Sequence, residues 1–280
     1  MSALEEQTID ADSILIHNSN AQMNNVTINA LGILDGSAKE GLSASYIRTG
    51  FGDFSANNFM LKGVYKLNEN VVMGVMGGYE TYNLPADLKA ITTDMTGYFA
   101  GAYTAMNFDS IEIAASGKTS FVNSKLNKKA KAGKDEVKTN IISAQAQAGY
   151  RLDNLVSGVN FIPGVMVRYN HITPEGGLST ALLQAGPVVG VRYIMDDNFS
   201  FRFNAAALYD VSNENYTFVK KDVHTKESFM DKVSFDGVVA LEYSASENLS
   251  VSANAGVNLR PKAKQPTSFN VAATVTYDIL

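Results

Sequence analysis

The sequence predicts an all-β protein, a twelve-stranded antiparallel up-and-down transmembrane β-barrel whose pore holds an N-terminal segment. Three observations predict it. Side chains alternate apolar and polar with period two over unusually long segments, connections are short and long by turns, and the polar face carries Ser, Asn, Gln, Gly and Thr in place of dense Lys and Glu. Period two sends successive side chains to opposite faces of a strand. Segments of roughly 10 to 14 residues exceed the usual soluble strand of about 5 to 6 and match the length a tilted strand needs to cross a bilayer.

The expected strands lie near 41–51, 58–67, 70–82, 92–106, 108–123, 137–152, 159–170, 178–195, 198–212, 231–245, 248–260 and 268–280. The pattern is clearest in the eleventh. Leu249, Val251, Ala253, Ala255, Val257 and Leu259 form one face, against Ser250, Ser252, Asn254, Gly256, Asn258 and Arg260. Ile142, Ala144, Ala146, Ala148, Tyr150 and Leu152 do the same in the sixth, and Phe199, Phe201, Phe203, Ala205, Ala207, Tyr209 and Val211 in the ninth. Asn/Asp turns at 68–70, 107–109, 153–154, 196–198 and 246–248 restart the alternation. Between them run longer polar stretches at 50–57, 83–91, 123–136, 171–180, 212–232 and 260–267. Strict alternation of the two kinds puts short turns at one end and long loops at the other, the asymmetry of an outer-membrane barrel. The last strand reaches the end of the sequence, where it can pair with the first and leave no open edge.

Composition excludes several function classes. The 280 residues have a mean hydropathy of -0.06, with no run of apolar residues long enough for a transmembrane helix. Charged residues are 18%, below the roughly 25% usual in soluble domains. A net charge of -5 lacks the basic field a general nucleic-acid binder uses. The absence of cysteine removes disulfides, zinc-thiolate sites and thiol catalysis, and His17, His171 and His224 lie too far apart for a metal-ligand motif. No metal or other cofactor is expected. A soluble sandwich or lipocalin-like barrel would turn the apolar face inward and carry charge outside, which the mild polar face opposes. Tyr65, Tyr79, Tyr103, Tyr169, Tyr193, Tyr243 and Tyr277 are expected to form interfacial girdles.

The stretch NLSVSANAGVNLRPKAKQPTSFNVAATVTYDIL, twelve expected strands and a preceding segment resemble the C-terminal translocator domain of autotransporters, the type V secretion system. The likeness covers roughly residues 20–280. Translocators of this family usually end in an aromatic residue, whereas this chain ends in Leu280. The resemblance implies export and anchoring of a covalently linked N-terminal passenger at the bacterial cell surface. It further implies insertion by the barrel-assembly machinery among outer-membrane lipid and lipopolysaccharide, as a monomer. The start MSALEEQTIDADS has neither basic nor apolar signal regions, so the resemblance implies a piece of a longer precursor. Residues 1–20 would be passenger remnant, 21–40 a linker in the pore and 41–280 the barrel. The family's linker is commonly helical. The residues themselves leave helix or strand open at 21–38, because Asn24 to Asn29 are poor helix formers.

One subgroup of the family cleaves itself between two asparagines of the linker, and Asn24-Asn25 is such a pair. There the Asn24 amide would attack its own carbonyl with help from a lumen carboxylate. The expected pore-lining residues are Lys62, Glu80, Glu112, Lys118, Arg151, Arg168, Arg192, Arg202, Asp236 and Glu242. They would hold a linker helix or tune ion passage, or else serve only solvation and cross-strand pairing. Lysines 125, 128, 129, 131 and 134 would face lipopolysaccharide or solvent. The alternatives are a porin, with an unfilled pore, and a barrel enzyme such as a phospholipase or protease. No GxSxG elbow, P-loop or HExxH is present.

Overall fold

The computed structural model describes residues 3–36, 38–84, 92–126, 136–156, 158–175, 179–196, 198–214, 217–220, 223–226, 233–260 and 267–278. One helix, α1 (Ala3–Leu34), precedes the strands β1 (Gly41–Phe51), β2 (Phe54–Asn68), β3 (Val71–Asn83), β4 (Thr92–Phe108), β5 (Ile111–Leu126) and β6 (Glu136–Tyr150). There follow β7 (Leu152–Val156), β8 (Val159–Pro174), β9 (Thr180–Ile194), β10 (Phe199–Glu214), β11 (Thr217–Lys220), β12 (Val223–Lys226), β13 (Val233–Ser246), β14 (Leu249–Leu259) and β15 (Thr267–Tyr277). Twelve long strands form one antiparallel sheet that closes into a single ring. The last strand meets the first from Leu42↔Tyr277 to Phe51↔Ser268, and β6 meets β8 from Thr139↔Pro174 to Gly149↔Gly164. β7 is a short appendage on β8, and β11–β12 is a separate hairpin in the longest loop.

Hydrocarbon offers backbone groups no water, so a sheet that spans it must close on itself. At the seam, Gly41 has φ +113 and its Cα packs against the Tyr277 carbonyl, where a side chain would collide. The lumen side of the same seam is stitched by hydroxyl pairs, Ser43–Thr276 at 3.0 Å and Ser45–Thr274 at 2.8 Å. Apart from the turn at Gly52, the short turns gather at one end and follow their local chemistry. Asn68 Oδ1 accepts from the Asn70 amide at 2.9 Å, and Asp196 Oδ1 accepts from the amides of Asn198 and Phe199 at 2.8 Å each. These are Asx turns.

The barrel strands are 11 to 17 residues long, and β2, β4 and β8 extend beyond their expected ends. The stretch 50–57 is no long loop: Phe51 pairs with Phe54 across a two-residue turn in which Gly52 takes φ +55. The turn expected at Asp153-Asn154 falls later, next to Gly158 at φ +75. His171, expected in a loop, lies in β8 opposite Ile142.

The outward face of the strands is largely apolar, and the inward face mixes polar side chains with apolar ones such as Met60, Val72 and Met76. In β14, Val251, Ala253, Ala255 and Val257 are exposed while Ser250, Ser252 and Asn254 are buried. The exposed aromatics form two belts. Cross-strand pairing aligns Tyr46, Phe59, Tyr79, Tyr98 and Phe121 in one row toward the long-loop end. Tyr65, Tyr150, Tyr243 and Tyr277 stand exposed toward the short-turn end. Tyr103 does not join either belt. It faces the lumen, 3% exposed, its ring over the bare backbone of Gly74 on the neighbouring strand.

This orientation is testable in β14. Ala253→Arg places a charge on the lipid face near mid-bilayer and is expected to cost about 2 to 4 kcal/mol in chemical unfolding from lipid vesicles. Unchanged stability would put that face inside.

Candidate functional site

The lumen is filled by α1, and from Ile14 to Leu34 every residue of the helix but Asn24 is buried. The buried part thus begins on the N-terminal side of residue 21. A helix buried on all sides needs no apolar stripe, and here apolar and amide side chains interleave around it.

The contacts change in kind along the axis. Toward the long loops, Ile14, Leu15 and Ile16 join Phe51, Phe54, Leu84, Met95 and Ile172 in an apolar collar. His17 stacks on Phe51 with ring centroids 4.7 Å apart, and its Nδ1 lies 2.9 Å from Ser268 Oγ.

Below the collar the helix presents amides at Asn18, Gln22, Asn25 and Asn29, spaced four, three and four residues apart and therefore on one face. The wall of β2, β3 and β5 receives them. Asn18 and Asn58 form a reciprocal amide pair at 3.0 and 2.7 Å. Gln22 Nε2 donates to Asn58 Oδ1 at 2.7 Å and to Glu80 Oε2 at 3.0 Å. Gln22 Oε1 accepts from Lys118, whose ammonium also donates to Ser120 at 2.9 Å and sits over the Phe99 ring. Lys62 Nζ donates to Asn25 Oδ1 and Asn29 Oδ1, each at 3.4 Å. Lys62, Glu80 and Lys118 are all nearly inaccessible to solvent, so these contacts replace lost hydration.

On the opposite wall Arg168 is the largest fully buried side chain. It pairs with Asp236, donates to Gln145 Oε1 at 2.9 Å and reaches Asn24 Oδ1 at 3.2 Å. Asp236 is also held by Asn258. Asn20 Oδ1 accepts from Asn170 at 3.2 Å, and Thr27 Oγ1 lies 3.3 Å from Ser116 Oγ.

The helix stops where Gly36 turns left-handed at φ +78, with its amide on the Ile33 carbonyl at 3.1 Å. Beside this end, Arg192 and Arg202 both contact Asp35. Arg151 lies 3.5 Å from Glu112 and 2.9 Å from Asp153. Glu242 accepts from Ser250 Oγ at 3.1 Å.

The expected pore-lining residues fall in three groups: Lys62, Glu80 and Lys118 on the amide stripe, Arg168 and Asp236 at Asn24, and Glu112, Arg192, Arg202 and Glu242 toward the short turns, with Arg151 at the short-turn rim, where it also donates to the Asp109 carbonyl at 3.3 Å. The helix side of each contact was not foreseen. Asn18, Gln22, Asn29 and Asp35 were missed, and the four-three-four spacing of the amides was the available signal. Lys125 pairs with Asp94 at 3.8 Å on the outside, and lysines 128, 129, 131 and 134 lie outside the described residues. His171 faces outward beside Tyr169 and Thr173. Among the described residues no group of three His, Asp or Glu could hold a metal ion.

The fold is that of several solved barrels. The translocator domain of the autotransporter NalP from Neisseria meningitidis superposes with a TM-score of 0.64 at 13% identity, over 97% of this chain and 99% of that one. The transport unit of AIDA-I from Escherichia coli gives 0.57 at 15% identity, over 85% and 89%. The beta domain of the Bordetella autotransporter BrkA gives 0.54 at 11% identity, over 85% and 100%. No curated protein sequence is similar to the chain. The model of the Autotransporter beta-domain family matches residues 43–256, well over half of the sequence. The closed twelve-stranded barrel with its helix-filled lumen therefore belongs to the autotransporter β-domain family, and the chain is an outer-membrane translocator.

Proposed function

We propose that the barrel exports a passenger linked to its N-terminus and then keeps α1 in the pore as a seal. One observation carries this reading: the direction of the helix. β1 starts at the short-turn end and runs to the Gly52 turn at the other end, and α1 precedes it antiparallel. The apolar collar places Ile14 beside Phe51 and Phe54, so the N-terminus emerges among the long loops, on the extracellular side of an outer-membrane barrel. A passenger joined there stands on the cell surface. Residues ahead of Ile14 then belong to the passenger side, and Ile14–Leu34 is the pore segment.

The remaining partners follow from the same physics. The outward apolar band with its two aromatic belts suits outer-membrane phospholipid and lipopolysaccharide. The closing strand Thr267–Tyr277 alternates outward Phe269, Val271, Val275 and Tyr277 with inward polar groups, the form of strand the barrel-assembly machinery would handle. One chain closes the sheet by itself, which supports a monomer.

The Asn24–Asn25 bond is taken to stay intact. The helix runs unbroken through it, Asn24 Oδ1 is held by Arg168, and the nearby Asp236 carboxylate is already engaged by Arg168 and Asn258. Cyclisation of Asn24 needs a base that can accept a proton from its amide nitrogen, and this carboxylate is committed elsewhere. No chemistry beyond transport is assigned.

Three outcomes are expected. With a signal peptide supplied, an epitope placed ahead of residue 1 is removed by protease from intact cells bearing folded barrel; a protected epitope would leave the N-terminus in the periplasm. Deleting residues 14–38 raises single-channel conductance severalfold in planar bilayers, and an unchanged value would remove the seal. The folded chain and its Asn24→Ala variant each give a single intact species by mass spectrometry, differing only by the mass of the substitution, whereas a fragment beginning at Asn25 in the parent alone would show self-cleavage.

A further inference from the structure

Arg192 and Arg202 are direct cross-strand partners of β9 and β10, both turned into the lumen. Two like charges in that relation repel, and register leaves neither free to point elsewhere. Their side chains are 11% and 7% exposed, so water does little to screen them. What lies between them is Asp35, 6% exposed, its Oδ2 2.8 Å from Arg192 Nη1 and also paired with Arg202 Nη2. Glu112 is 4.0 Å from Arg192 and is shared with Arg151, so it cannot balance the pair alone.

Asp35 is an odd residue for its place on the helix. It follows Leu34 directly, just before the left-handed Gly36 that ends the helix, and the last turn contains no basic residue. A carboxylate there adds to the negative end of the helix dipole and is locally unfavourable. The two arginines reverse that sign. They neutralise the carboxylate at that end.

From this geometry we propose that Arg192 and Arg202 form a carboxylate-binding site at the periplasmic mouth, and that Asp35 is its ligand and the latch that seats the pore helix. The inference rests on the reading that α1 remains in the pore as a seal. The barrel supplies a paired cationic clamp. The chain supplies one acidic side chain six residues before β1, and when that side chain enters the clamp the linker can move no farther. The linker's residues 36–40 are too few to let the helix shift by several turns without breaking this contact. Asp35 is therefore a positioning residue for the resting state, and the clamp without it is an open anion site.

The experiment uses the full chain in planar lipid bilayers under a potassium chloride gradient, with heat-modifiable gel mobility to verify folding. The parent chain should be closed with rare large openings. Asp35→Asn should raise opening frequency at least about tenfold, since it removes the one carboxylate that both buried cations share, and should shift the reversal potential toward chloride. Asp35→Glu should stay close to the parent. Adding Arg202→Gln to Asp35→Asn removes the repulsion and should bring openings back toward the parent; if the single variant fails to insert, the double variant should restore insertion. An Asp35→Asn channel that matches the parent in frequency and reversal potential overturns the latch, as does a double variant at least as open as the single one. A parent chain that is already fully open would instead overturn the seal on which the latch depends.

Discussion

Everything in this molecule follows from the need to satisfy backbone hydrogen bonds where there is no water. Strands can cross hydrocarbon only if the sheet has no edge, and closing twelve strands makes a lumen. Once the outer face must be apolar, period two makes the inner face polar, whatever its use. Pairing of the first strand with the last, from Leu42↔Tyr277 to Phe51↔Ser268, thus determines both the lipid band and the interior.

That interior would be a water-filled channel if left empty. With the helix inside, water is largely excluded, and each polar wall group must find a partner in the helix or in another strand. This explains the helix composition. Amides offer a donor and an acceptor without net charge, so Asn18 and Gln22 together bond Asn58, one oxygen of Glu80 and Lys118. Charged pairs appear where the wall provides both signs, as at Arg168 and Asp236, and where Asp35 at the helix end meets Arg192 and Arg202. The match is incomplete at Asn25 and Asn29, whose Nδ2 groups are buried without a hydrogen-bond partner. Buried ion pairs contribute little net stability, while breaking one is expensive, so such a lining favours one seating of the helix over others more than it favours stability.

The sequence made the barrel legible because its signal is repeated in every strand. Alternation in β6, β10 and β14 identified the lipid face, and the turn chemistry at Asn68 and Asp196 marked one end. Local errors arose where a strand continued past the membrane or a two-residue turn replaced a loop, as at Gly52, since period two weakens beyond the hydrocarbon. Tyr103 was misplaced because an aromatic residue near a strand end suits either face until a neighbouring glycine is seen. The inward charges of the wall could be read from strand parity. Their partners could not, because which helix residue meets Lys118 depends on the depth and rotation of α1, and no local pattern encodes those. The Asn-rich stretch left helix or strand open, since intrinsic propensity ignores the tertiary bonds that decide it.

The central claim is that this helix rests in the lumen in this register, and disulfide trapping tests it most directly because the chain has no cysteine of its own. Thr27 Oγ1 and Ser116 Oγ lie 3.3 Å apart, a separation that cysteine sulfurs at the same positions can bridge. In oxidised outer membranes the Thr27→Cys, Ser116→Cys chain should cross-link almost completely, while Thr27→Cys with Ser250→Cys should not. Absence of the first cross-link in correctly folded barrel, or equal yields for both pairs, would mean that the helix is elsewhere or has no fixed seat.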